Sequence, residues 1–164
     1  MTKKTTKPKA KKVKPKHFSF SQTSLDRMKG VDQRLIDIAH KALSISAVDF
    51  GIPQYGGIRT GKEQGWLYSE GKTKLDGLVK RSKHQDGLAL DVFAYVNGKA
   101  SWKEEHLTAV ADAFKESAKA MDIKIEWGGD WQNFVDMPHF EIVDKDIGGD
   151  PSSIVLAGIP LKRG

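Results

Sequence analysis

Ser82-Lys83-His84-Gln85-Asp86-Gly87-Leu88-Ala89-Leu90-Asp91 sets a histidine and an aspartate seven residues apart with a glycine between them, and Asp136-Met137-Pro138-His139 answers it far downstream. Two imidazoles and a carboxylate form a nitrogen, oxygen, nitrogen ligand set without any thiolate. A catalytic zinc site needs three such ligands with a fourth position open, which makes His84, Asp91 and His139 the candidate metal ligands. Zinc held in this way keeps a positive charge and lowers the pKa of a bound water from about 16 towards about 7. A second carboxylate must then accept the proton. Asp136 is the candidate for that role, three residues before His139, with Pro138 between them opposing a shared helix. His84 and Asp91 are an odd number of positions apart, so on one straight strand they would face opposite ways. The chain must bend between them, and Gly87 is where a bend costs least.

Outward from this stretch, Val31, Leu35, Ile38, Ala39 and Ala42 recur at helical spacing and predict an amphipathic helix over about residues 31–44. Ser101 and Glu104 read as a capping box ahead of a second helix, with Leu107, Val110, Ala111, Phe114, Ala118 and Met121 as its buried stripe. Clusters of β-branched and aromatic residues predict strands over about residues 47–52, 89–96, 123–127 and 139–143, with Asp91 and His139 at strand starts. The polar, glycine-studded stretch 61–82, which holds Trp66, Leu67 and Tyr68, reads either as a loop beside the substrate or as a plain long connection. The expected fold class is α+β: an antiparallel sheet bearing the metal site, with two helices packed on one face.

Charge divides the chain. Residues 1–16 carry eight lysines and no acid, which leaves 19 basic against 21 acidic residues in the remainder. Lysine, proline and threonine without large apolar groups cannot bury enough surface to fold, so residues 1–16 are expected to be a disordered lysine-rich tail. Residues 17–143 then form the folded domain, and 144–164 a C-terminal extension packed on it or partly flexible. Cysteine is absent, so no disulfide framework holds this fold. No run approaches the length of apolar residues that spans a membrane, and no apolar segment of a cleaved signal peptide follows the basic start. The acidic body offers no basic groove to extend the lysine arm, so a nucleic-acid partner is not expected.

The spacing Ser82-x-His84-x-x-Gly87-x-Ala89-x-Asp91, the segment Trp127-Gly128-Gly129-Asp130-Trp131 and the closing Asp136-x-x-His139-Phe140-Glu141 resemble the zinc peptidases of the D-alanyl-D-alanine carboxypeptidase and dipeptidase superfamily. Within it they most resemble the small bacteriophage endolysins that act as L-alanyl-D-glutamate peptidases. The resemblance runs from about Phe18 to about Val143. It implies one zinc ion per chain on His84, Asp91 and His139, and a catalytic base at Asp136. At Gly57-Ile58-Arg59-Thr60 it implies an arginine, Arg59, that binds substrate or stabilises the oxyanion. It also implies a monomeric zinc peptidase domain over residues 17–143 that cuts the peptidoglycan stem peptide between L-alanine and D-glutamate. Such an enzyme resides in the host bacterial cytoplasm until another agent releases it to the wall. The basic tail would then tether it electrostatically to anionic cell-envelope polymers, an attraction that falls as salt rises.

Plainer readings stand beside these. Asp136 fits an ordinary turn ahead of proline, and Arg59 can cap a loop or pair with a carboxylate. His17, His40 and His106 read as solvated positions rather than ligands. Three other functions remain open: a D-alanyl-D-alanine carboxypeptidase with the same metal residues, a non-catalytic zinc-containing binding module of the hedgehog type, and nucleic-acid binding through the lysine arm.

Overall fold

The structure, a computed structural model, describes residues 17–143. The expected tail and C-terminal extension lie outside the described residues. Helices α1 (Gln22–Arg27), α2 (Gln33–Ile45), α3 (Gly61–Ser69) and α4 (Glu104–Ala120) accompany strands β1 (Asp49–Gly51), β2 (Ala89–Asp91), β3 (Phe93–Val96), β4 (Lys99–Ser101), β5 (Ile125–Trp127) and β6 (His139–Ile142). The class is α+β, as expected, but the strands form two antiparallel sheets, ordered β1-β3-β4 and β2-β6-β5. The single strand expected over 89–96 therefore breaks at Val92. That residue is fully buried, and its N–H leaves the ladder to donate to the Pro138 carbonyl. Asp91 accordingly ends a strand instead of starting one, whereas His139 does begin β6.

Both predicted helices are present, and their apolar stripes form the centre of one core. Leu35, Ile38, Ala39 and Ala42 of α2 are buried, as are Leu107, Val110, Ala111, Phe114 and Ala118 of α4. The Phe114 ring stacks on Phe140 of β6 with centroids 4.0 Å apart, which fixes α4 against the sheet that carries His139. The capping box at Ser101 and Glu104 is not formed. Lys103 is the N-cap and makes no side-chain cap bond. Ser101 belongs to β4, which the sequence reading passed over, and its hydroxyl pairs with the His106 ring at 2.7 Å.

Gly87 makes the bend between His84 and Asp91. Its φ of 71° closes a 3-10 turn over Lys83–Asp86, and a Cβ there would press on the Gly30 carbonyl at 2.8 Å. Only glycine takes that conformation without strain. The turn lets His84 approach the face of β2 from outside the sheet. Within the sheet, Asp91 pairs directly opposite His139, and side chains of directly opposed residues share a face. Among the described residues, no helix is long and apolar enough to cross a membrane.

Candidate metal centre

His84, Asp91 and His139 converge as the sequence reading expects. His84 Nε2 lies 3.1 Å from Asp91 Oδ1 and 3.2 Å from His139 Nδ1, and His139 Nδ1 lies 3.1 Å from the same Asp91 oxygen. These sides are close to the edge, about 3.3 Å, of a tetrahedron with metal bonds of about 2.0 Å. Both histidines are buried and could, with Asp91, hold a metal ion.

Each candidate ligand is oriented from behind. His84 Nδ1 donates to the Gly57 carbonyl at 2.9 Å, which leaves the Nε2 lone pair facing the cluster. Gly57 can supply that carbonyl because its backbone runs against Arg27, where a Cβ would overlap the Arg27 carbonyl oxygen. His139 Nε2 donates to Glu141 Oε1 at 2.9 Å, which turns its Nδ1 inward. Glu141 is in turn paired with Lys83. The other Asp91 oxygen, Oδ2, accepts from Arg59 Nη2 at 3.0 Å, so a single carboxylate oxygen faces the two rings. Three lone pairs brought together in a buried place repel one another unless a cation lies between them.

The electrostatics follow from this geometry. Burial alone would lower the His139 pKa, but hydrogen bonds with Asp91 and Glu141 outweigh it and raise the value to about 9. Burial would raise Asp91, yet the pull of His84 and His139 holds it well below the usual carboxylate range. A metal ion bound there would therefore have to displace a proton from the same lone pair. Asp136, exposed in the loop before β6, has its backbone N–H tied to the Gly128 carbonyl at 2.9 Å. Desolvation on its inner side, followed by repulsion from Asp91, raises its pKa, while His139, His84 and Arg59 oppose the rise. It is thus electrostatically coupled to the cluster without belonging to the ligand triangle.

Arg59 is mostly buried and donates to three acceptors: the Tyr55 carbonyl, Gln64 Oε1 and Asp91 Oδ2. Pairing with a carboxylate, the plainer of its readings, is part of what it does. The other histidines lie elsewhere. His17 is exposed, the His40 ring meets Phe20 edge to face, and His106 bonds Ser101. Sequence reasoning gave no role to Glu141 or Gln64. Glu141 was legible in principle, since it stands two positions after His139 on a strand and so shares its face. Gln64 carried no signal beyond the Thr60 and Glu63 capping box that starts α3.

The family model of the phage L-alanyl-D-glutamate peptidase matches residues 16–149. The chain is 36% identical over 115 residues to the L-alanyl-D-glutamate peptidase of Escherichia phage T5, a match covering 70% of this chain and 82% of that protein. It is 34% identical over 113 residues to the peptidoglycan L-alanyl-D-glutamate endopeptidase CwlK of Bacillus subtilis, covering 62% and 68% respectively. Its fold matches the crystal structure of the Serratia marcescens L-Ala D-Glu endopeptidase ChiX with a TM-score of 0.71 and 29% identity, over 82% of this chain and 96% of that one. With the family model spanning the whole described region and relatives from both phages and bacteria aligned over most of it, this chain belongs to the phage L-alanyl-D-glutamate peptidase family.

Proposed function

We propose that the chain is a zinc-dependent peptidoglycan peptidase that hydrolyses the L-alanyl-D-glutamate bond of the stem peptide. The observation that carries this reading is the convergent triangle of His84, Asp91 and His139, with one more carboxylate, Asp136, near enough to interact electrostatically with all three. The donor set fits zinc: two imidazole nitrogens and a single carboxylate oxygen at tetrahedral spacing, with no thiolate. Bound there, zinc supplies a Lewis acid that acidifies water and polarises a carbonyl.

The chain's own residues do the rest. Asp136, whose raised pKa reflects a carboxylate kept from full solvation, accepts the proton of the attacking water and returns it to the departing amide nitrogen. Arg59 holds Asp91 Oδ2, and the donors it does not spend on Tyr55, Gln64 and Asp91 are available to steady negative charge on the carbonyl oxygen. Glu141 holds the His139 tautomer through the reaction.

Digestion of purified peptidoglycan tests this reading. New amino termini on D-glutamate are the expected product. Release of free D-alanine would instead assign the carboxypeptidase specificity, and no new termini at all would assign a binding module.

A further inference from the structure

Phe134 is held at φ 54°, in the left-handed region that a bulky L-residue occupies only when its surroundings impose it. Burial does not repay this, because 72% of the residue is exposed. It lies two positions before Asp136, and the Lys74 ammonium stands 5.3 Å from its ring centroid. Lys74 has no carboxylate partner among the described residues. Its position is nonetheless built in. The buried amide of Gln64, which accepts from Arg59, also donates to Thr73 Oγ1 and to the Leu75 carbonyl on either side of Lys74. A continuous chain of contacts thus runs from Asp91 through Arg59 and Gln64 to the lysine facing Phe134.

We propose that Phe134 and Lys74 form the subsite for the glutamate residue on the leaving side of the scissile bond. The ring covers its methylenes, and the ammonium pairs with the one carboxylate that its linkage in the peptide leaves free. This rests on the reading of the site as an L-alanyl-D-glutamate peptidase. The leaving side is indicated by chemistry: Asp136 must deliver a proton to the glutamate nitrogen, and Phe134 is on the same short loop. Strain kept in an exposed ring beside a reacting group fits a residue retained for substrate rather than for stability.

The test compares two synthetic stem peptides on the zinc-loaded enzyme, one with the free glutamate carboxylate and one with that group as a carboxamide. The wild type should show a KM at least 10-fold lower for the carboxylate, with similar kcat. Lys74→Met should erase the preference and Lys74→Arg restore it. Phe134→Gly should raise KM for both peptides while Tm stays level or rises and zinc content is unchanged, since glycine relieves the backbone. Equal KM for the two peptides in the wild type would overturn the subsite, as would a Phe134→Gly variant that melts lower and keeps its KM. Failure of the wild type to cut either peptide is a different result, which removes the peptidase reading and the subsite with it.

Discussion

At the scale of single residues, the site separates groups that would hold the metal from groups that would use it. Asp136→Ala removes a carboxylate that is not in the ligand triangle. The variant should keep its zinc and lose about 10²- to 10⁴-fold in kcat, the usual contribution of a positioned base. Zinc analysis alongside peptide hydrolysis checks this, and full activity would strip Asp136 of the role. Glu141→Ala acts one step further out. It frees the His139 ring and exposes its tautomer to exchange, so zinc affinity should fall by about 10- to 100-fold, as generally follows when the group that orients a ligating imidazole is lost. A competition titration against a chelator measures that directly. Unchanged affinity would mean that the His139 to Glu141 bond contributes only to folding.

At the scale of elements, α3 is the part the sequence reading took for a loop, and it carries the side chain that ties Arg59 to the 73–75 segment. Its start is a capping box in which Thr60 and Glu63 satisfy one another's backbone N–H groups. Thr60→Ala should therefore cost about 1 kcal/mol of stability, seen as a lower denaturation midpoint with unchanged slope. No loss would mean that α3 is held by its buried Gln64 and Leu67 and not by its cap. Why α2 and α4 were legible and α3 was not has a physical cause. The long helices bury a regular apolar stripe, Leu35 to Ala42 and Leu107 to Ala118, whereas α3 buries only Gln64 and Leu67 and shows no periodic face. The candidate metal ligands were legible because chemistry limits which residue types can serve, and Gly87 because a bend was required. The partition into two sheets was not, since nothing local in Ala89 to Val96 marks Val92 as the residue where hydrogen bonding passes to Pro138.

At the scale of the whole molecule, a metal ion held by the triangle would compete with a proton for the same point between the β2-β6-β5 sheet and the His84 turn, so stability should depend on pH differently with and without zinc. The folded His139 pKa of about 9 lies above its unfolded value near 6.5. Its contribution in metal-free protein is therefore complete below about pH 6.5 and is lost as pH rises through about 9. Zinc takes the proton's place, so the zinc-loaded protein should hold its Tm across that window while the chelated protein declines. Melting curves between pH 6 and 10 show the gap widening if this is right; parallel curves would mean that zinc binds elsewhere. The central claim, that one ion is gripped by His84, Asp91 and His139, is tested most directly by zinc content per chain in wild type, Asp136→Ala and His84→Ala, with circular dichroism confirming that each is folded. The expected result is about one zinc per chain in the first two and essentially none in His84→Ala; a folded His84→Ala protein that still carries one zinc would contradict it.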